Sequence, residues 1–221
     1  MTWVKICGMT NLEDALTAVE AGADAVGFVF YDKSPRNISV EAAREIVEKL
    51  PGGVEKVGVF VNEHEDSICA IADGAGLTAF QMHGDDEDPH VADLVVERRP
   101  NLKVFAAISM RHPSPVDWAS VWDQDVVRAF LVDSGTQSKL GGTGEVFDWR
   151  ASVGTLNEIK RLGQLVLAGG LTPANVGEAI GILDPWGVDV ASGVEARPGK
   201  KDPVKVRAFV KAAHDAGGKT S

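Results

Sequence analysis

The feature that most narrows the folds open to this chain is an alternation running from one end to the other. Short apolar runs rich in Val, Ile and Phe, which read as buried strands, lie at Trp3–Ile6, Ala25–Phe30, Val57–Val61, Thr78–Met82, Lys103–Ile108, Val126–Val132, Gln164–Leu167 and Gly187–Val190. Between them are segments with apolar residues at helical spacing: Asn11–Ala21, Val40–Leu50, Asp66–Ala75, His90–Arg98, a short Pro115–Trp122, Phe147–Leu162, Pro173–Leu183 and Pro203–Ala213. Capping side chains stand at several helix starts. Thr172-Pro173 and Asp202-Pro203 place one before a proline that needs no N–H, and Ser39 precedes the second helix. Glycines follow helices at Gly22 and Gly163, where a left-handed residue is expected to end the turn.

Eight such units in 221 residues, about 27 residues each, predict an α/β fold: a single (β/α)8 TIM barrel, a parallel eight-stranded barrel inside a ring of helices. The domain is expected to span residues 1–215, with a disordered tail at 216–221. A doubly wound open sheet shares the alternation and is the alternative.

Composition limits what such a domain could bind. With 22 Lys+Arg against 32 Asp+Glu the net charge is −10, which disfavours nucleic acid and anionic membrane surfaces as partners. Two cysteines are too few for a disulfide scaffold, no apolar run is long enough to span a bilayer, and the first residues do not read as a signal peptide. A cytoplasmic protein with no obligate protein partner is expected. Glycine is in excess, at 24 residues.

In a (β/α)8 barrel the loops after the strands form the working face, so candidate residues sit at strand C-termini. Alternation along the first strand puts Trp3, Lys5 and Cys7 on one side, with Val4 and Ile6 toward the helices. Cys7 then points into the mouth, either as a small buried hydrophobe or as a thiolate base or nucleophile. A thiol with the ordinary pKa near ~8.5 needs help from its surroundings to ionise. Asp133 ends the sixth strand on the face of Ala129 and Leu131. It either caps the next turn or holds a proton to donate. Gly169-Gly170 and Ser192-Gly193 follow the last two strands, where backbone N–H groups can meet a phosphate. Arg36 lies in a proline-stiffened loop after the second strand, solvated or offering its fork to a carboxylate. His83 is a packed imidazole or a catalytic one. Gly141-Gly142-Thr143-Gly144 reads as a candidate lid, with Gly141, Gly142 and Gly144 giving it freedom, or as a plain flexible loop. His64, His90, His112 and His214 show no ligand spacing, so no metal is expected.

Several blocks are more specific than any barrel requires. Val4-Lys5-Ile6-Cys7-Gly8-Met9-Thr10, Gly27-Phe28-Val29-Phe30 with Ser34-Pro35-Arg36, and Val57-Gly58-Val59-Phe60 occur in that order. They are followed by Gln81-Met82-His83-Gly84, the Gly141–Gly144 loop with Phe147-Asp148-Trp149, Ala168-Gly169-Gly170-Leu171 and Asp189-Val190-Ala191-Ser192-Gly193-Val194-Glu195. Over essentially its whole length the chain resembles phosphoribosylanthranilate isomerase. That resemblance implies an Amadori rearrangement in tryptophan biosynthesis, with no cofactor and a small phosphorylated substrate. It implies Cys7 as general base, Asp133 as general acid, Arg36 on the substrate carboxylate, and Gly170, Ser192 and Gly193 on the phosphate. Met82 and Ala191 depart from the family pattern, which commonly has Leu and a second Ser there. The related sugar isomerase of histidine biosynthesis is an alternative, disfavoured by Cys7 where that family generally has Asp. A catalytically silent metabolite sensor is another, and it would need neither Cys7 nor Asp133.

Overall fold

Strands without a polar face must be covered on both sides, and a barrel ringed by helices does this without leaving an edge. The computed structural model describes residues 1–84, 88–134 and 147–218 and has this architecture. Strands β1 (Trp3–Ile6), β2 (Ala25–Phe30), β3 (Glu55–Phe60), β4 (Ala79–Met82), β5 (Lys103–Ser109), β6 (Val127–Asp133), β7 (Leu165–Leu167) and β8 (Gly187–Val190) pair in sequence order. β8 returns to pair with β1 in parallel, Lys5 opposite Asp189, so the sheet closes and the open doubly wound alternative is excluded. The helices are α1 (Leu12–Glu20), α2 (Val40–Val47), α3 (Glu65–Ala75), α4 (Pro89–Arg98), α5 (Pro115–Ser120), α6 (Trp149–Leu162), α7 (Val176–Leu183) and α8 (Pro203–Gly217). A two-stranded hairpin of β9 (Glu195–Arg197) and β10 (Lys200–Lys201) precedes α8.

Most helix starts follow local chemistry. Ser39 accepts the Ala42 N–H at α2, and Asp202 accepts those of Val204 and Lys205 at α8. The start of α7 departs from the Thr172-Pro173 expectation, because the helix begins three residues after Pro173. Asn175 Oδ1 accepts the Thr172 N–H, and its Nδ2 donates to the Gly170 carbonyl, so this stretch is a turn that braces the preceding loop. Gly22 is left-handed at φ 98°, whereas Gly163 is extended at φ 176° and its small size makes room for the Phe130 ring instead. At the other end α8 runs to Gly217, so residues 216 and 217 of the expected tail are helical. The candidate lid residues Gly141, Gly142 and Gly144 lie outside the described residues. Among the described residues no helix is long and apolar enough to cross a membrane.

Period-2 alternation divides the apolar side chains into two cores. Val4 and Ile6 belong to the larger one between barrel and helices. Ala25, Val57, Ala79, Phe105, Ala129 and Leu131 help fill the barrel itself. Its floor is aromatic. Trp3 stacks on Trp186 at 4.9 Å and on Phe105 at 5.5 Å, and the Arg128 guanidinium covers the Trp186 ring. Most of the other interior residues are small, so little can move in to replace Phe105. Phe105→Ala is therefore expected to cost ~3–5 kcal/mol of stability, read as a lower urea midpoint with unchanged slope. A loss below ~1 kcal/mol would show that the floor does not depend on this ring.

Candidate active site at the barrel mouth

Above the floor the barrel interior turns polar. Lys5 is wholly buried, and its ammonium donates to Asp189 Oδ1 at 2.9 Å and to Gln81 Oε1 at 3.0 Å. Burial alone would pull its pKa down. The Asp189 carboxylate and the neighbouring Cys7 outweigh that, and Lys5 is held above the ordinary lysine value as a cation. One step up β1, Cys7 sits just beyond the strand with 7% exposure. Its Sγ and the Lys5 Cε both lie against Gly27, where a β-carbon would meet them at 2.7 and 3.2 Å. Burial pushes the Cys7 thiol up, and Lys5 opposes this without cancelling it. The help that a thiolate requires is therefore present but does not cancel the effect of burial.

Across the mouth, β6 delivers Asp133, paired in register with Ser109 of β5 and buried. His83, just past β4, places Nε2 3.6 Å from Asp133 Oδ2, while its Nδ1 is 3.0 Å from Gln81 Nε2. The loop after β2 is folded back on its own strand: Asn37 Oδ1 accepts the Tyr31 N–H, and the Ile38 N–H bonds the Val29 carbonyl. This brings Arg36 to the mouth. Its Nε and Nη2 donate to the two oxygens of Glu195 at 2.8 and 2.7 Å, so one edge of the fork is held by the protein itself. The end of the guanidinium, Nη1 with the second Nη2 hydrogen, is left for other acceptors. Glu195 also accepts from Lys201 Nζ and the Gly199 N–H. Burial would raise this carboxyl, but Arg36 and Lys201 outweigh it and keep Glu195 below the usual carboxylate range.

The loops after β7 and β8 complete the rim. Gly169 and Gly170 are both left-handed, at φ 78° and 65°. Ser192–Val194 forms one 3-10 turn, whose first N–H groups have no partner within the turn. A β-carbon at Gly193 would stand 1.8 Å from the Leu171 carbonyl oxygen, so the two loops touch where only glycine fits. Cys7, Arg36, Asp133, Gly170, Ser192 and Gly193, spread over five strand ends, all line one cavity at the barrel mouth. The interior charges Lys5 and Asp189, the amide of Gln81 and the Arg36 partner Glu195 were not singled out from sequence. A charge at an inward position of an otherwise apolar strand was the available signal for the first two.

A closed parallel barrel with its polar groups gathered at the C-terminal mouth defines a (β/α)8-barrel enzyme. The family model described as N-(5′-phosphoribosyl)anthranilate (PRA) isomerase matches residues 4–212. A relative named N-(5′-phosphoribosyl)anthranilate isomerase from Geotalea uraniireducens is 47% identical over 213 residues, covering 96% of this chain and 98% of its own. One of the same name from Thermotoga neapolitana is 45% identical, over 96% and 98%. The crystal structure of phosphoribosyl anthranilate isomerase from Thermotoga maritima superimposes with a TM-score of 0.85 at 42% identity, over 97% of this chain and all of that one. A further crystal structure of the isomerase, in complex with reduced 1-(o-carboxyphenylamino)-1-deoxyribulose 5-phosphate, gives a TM-score of 0.82 at 41% identity, with the same coverage. The chain belongs to the N-(5′-phosphoribosyl)anthranilate isomerase family and is an isomerase.

The electrostatics around Cys7 can be tested without substrate. Site-resolved alkylation, which separates Cys7 from Cys69, should follow a midpoint above that of a free thiol, because burial outweighs Lys5. Lys5→Met should move it higher still. A wild-type midpoint at or below the free-thiol value would contradict this balance.

Proposed function

We propose that the protein catalyses the Amadori rearrangement of N-(5-phosphoribosyl)anthranilate to 1-(2-carboxyphenylamino)-1-deoxyribulose 5-phosphate, a step of tryptophan biosynthesis. The observation that carries the reading is one cavity lined by a thiol, a carboxyl group, an arginine end and two glycine turns. The substrate presents a matching set: an acidic carbon, a ring oxygen, a carboxylate and a phosphate.

In this mechanism Asp133, as the acid, gives its proton to the ribose ring oxygen, and the C1–O bond opens to an iminium. The positive nitrogen acidifies C2, so the Cys7 thiolate can remove its proton and leave an enolamine. Protonation at C1 and loss of the C2 hydroxyl proton then give the ketone. Every step is a proton transfer between substrate and side chain, so the reaction needs no cofactor. Lys5 favours the thiolate at the moment it is needed. The end of Arg36 not held by Glu195 takes the anthranilate carboxylate, and Glu195 fixes its direction. Gly170, Ser192 and Gly193 offer backbone N–H groups to the phosphate, as expected after the seventh and eighth strands of such barrels. The solved relative bound to a reduced form of the rearranged product supports the same assignment of substrate class. The sequence's composition supports a cytoplasmic setting.

Loss of substrate fluorescence is the assay. Cys7→Ala and Asp133→Asn should each lower kcat by ~10²–10⁴-fold, the scale of a lost acid or base. Arg36→Ala should act mainly on KM. Wild-type turnover in either of the first two variants would overturn that residue's role, and no turnover by the unaltered protein would overturn the function.

A further inference from the structure

We propose that His83 is a positioning residue for Asp133, held as its neutral Nε2–H tautomer by a one-way chain of hydrogen bonds that begins at Lys5. The proposal rests on the reading of Asp133 as the general acid and adds a residue to it.

The chain has only one consistent direction. The Lys5 ammonium has donors and no acceptor, so the Gln81 atom 3.0 Å from it must be the carbonyl oxygen Oε1. That fixes the amide: Nε2, a donor only, faces His83 Nδ1 at 3.0 Å. Nδ1 must therefore accept, and the single proton of neutral His83 sits on Nε2. Nε2 in turn faces Asp133 Oδ2 at 3.6 Å. Such contacts are often long in a free enzyme and shorten when substrate binds. Flipping the amide would set its N–H groups against a buried cation, and a proton on Nδ1 would oppose the amide. Both are costly here, since Lys5 is wholly buried and Gln81 nearly so.

The consequence lies at Asp133. An acid has one proton to give, and it must leave from the correct oxygen. An N–H directed at Oδ2 from 3.6 Å favours the carboxyl rotamer that turns its proton away from His83. The Lys5 charge beneath Cys7 thus also bears, through two neutral side chains, on how the Asp133 carboxyl group is oriented. The base side and the acid side of the site share one determinant.

Long-range nitrogen-edited spectra of protein labelled with ¹⁵N in its imidazoles read the tautomer directly. His83→Asn identifies the resonances among the five histidines. At neutral pH wild-type His83 should show a protonated Nε2 and a bare Nδ1. Gln81→Glu supplies an acceptor to Nδ1 and should move the proton there, with kcat falling by up to ~10²-fold and KM unchanged. His83→Gln, which keeps an N–H donor, should retain more activity than His83→Leu. A wild-type spectrum with the proton on Nδ1 overturns the proposal, even if Gln81→Glu does not fold. A Gln81→Glu protein with a moved proton and intact kcat overturns it as well. Because the spectrum needs no substrate, failure of the tautomer is distinguished from failure of the isomerase reading, which the Asp133→Asn assay tests.

Discussion

The ion pair between Lys5 and Asp189 lies at the seam where the last strand meets the first, and much of the structure is arranged around it. In so dry a place a lone charge would be prohibitive, and the pair itself adds little net stability over apolar residues of the same size. What it does provide is a definite electrostatic origin in the barrel. It sits above an aromatic floor and below the cavity. It places a cation beside the one cysteine that faces the mouth, and it dictates which way an interior amide must point. The three polar interior side chains Lys5, Gln81 and Asp189 come from strands β1, β4 and β8, so the arrangement exists only once the sheet has closed.

This explains what was legible in the sequence and what was not. Strands with strong apolar patterning, such as Ala25–Phe30 and Gly187–Val190, have the same limits in sequence and structure, because being buried on both faces leaves little freedom in where they end. The inward turn of Cys7 and Asp133 followed from period-2 alternation within a single strand. The role of Asp189 did not, because its partner lies 184 residues away and only the closing register brings the two together. Arg36 shows a similar limit. Its loop position was readable, but one edge of its fork is held by Glu195, which is 159 residues away in sequence and comes close only because β8 closes onto β1. The start of α7 was misplaced because Asn175 spends its side chain on the loop before the helix.

A net charge of −10 would disfavour a substrate with two anionic groups if charge acted only as a diffuse field. The local arrangement resolves this. Buried Lys5 and Lys201 each have a carboxylate partner, and the Arg36 end and the rim amides are turned toward the cavity. Distant surface carboxylates are screened over a Debye length of ~8–10 Å.

The contact between Gly193 and the Leu171 carbonyl has a consequence for how this barrel could change over evolutionary time or in the laboratory. At Gly193 the two neighbouring loops are locked at a spacing that forbids any side chain, so that position of the rim is closed to substitution. Two strands around the mouth, the loop after β2 is folded back, and its arginine is fixed by a side-chain ion pair with Glu195 rather than by a backbone contact. One end of the cavity is thus inherited as a fixed anchor, while the other is the adjustable end. New substrates for this scaffold are best sought among molecules that keep the anchored group and vary what lies beyond it.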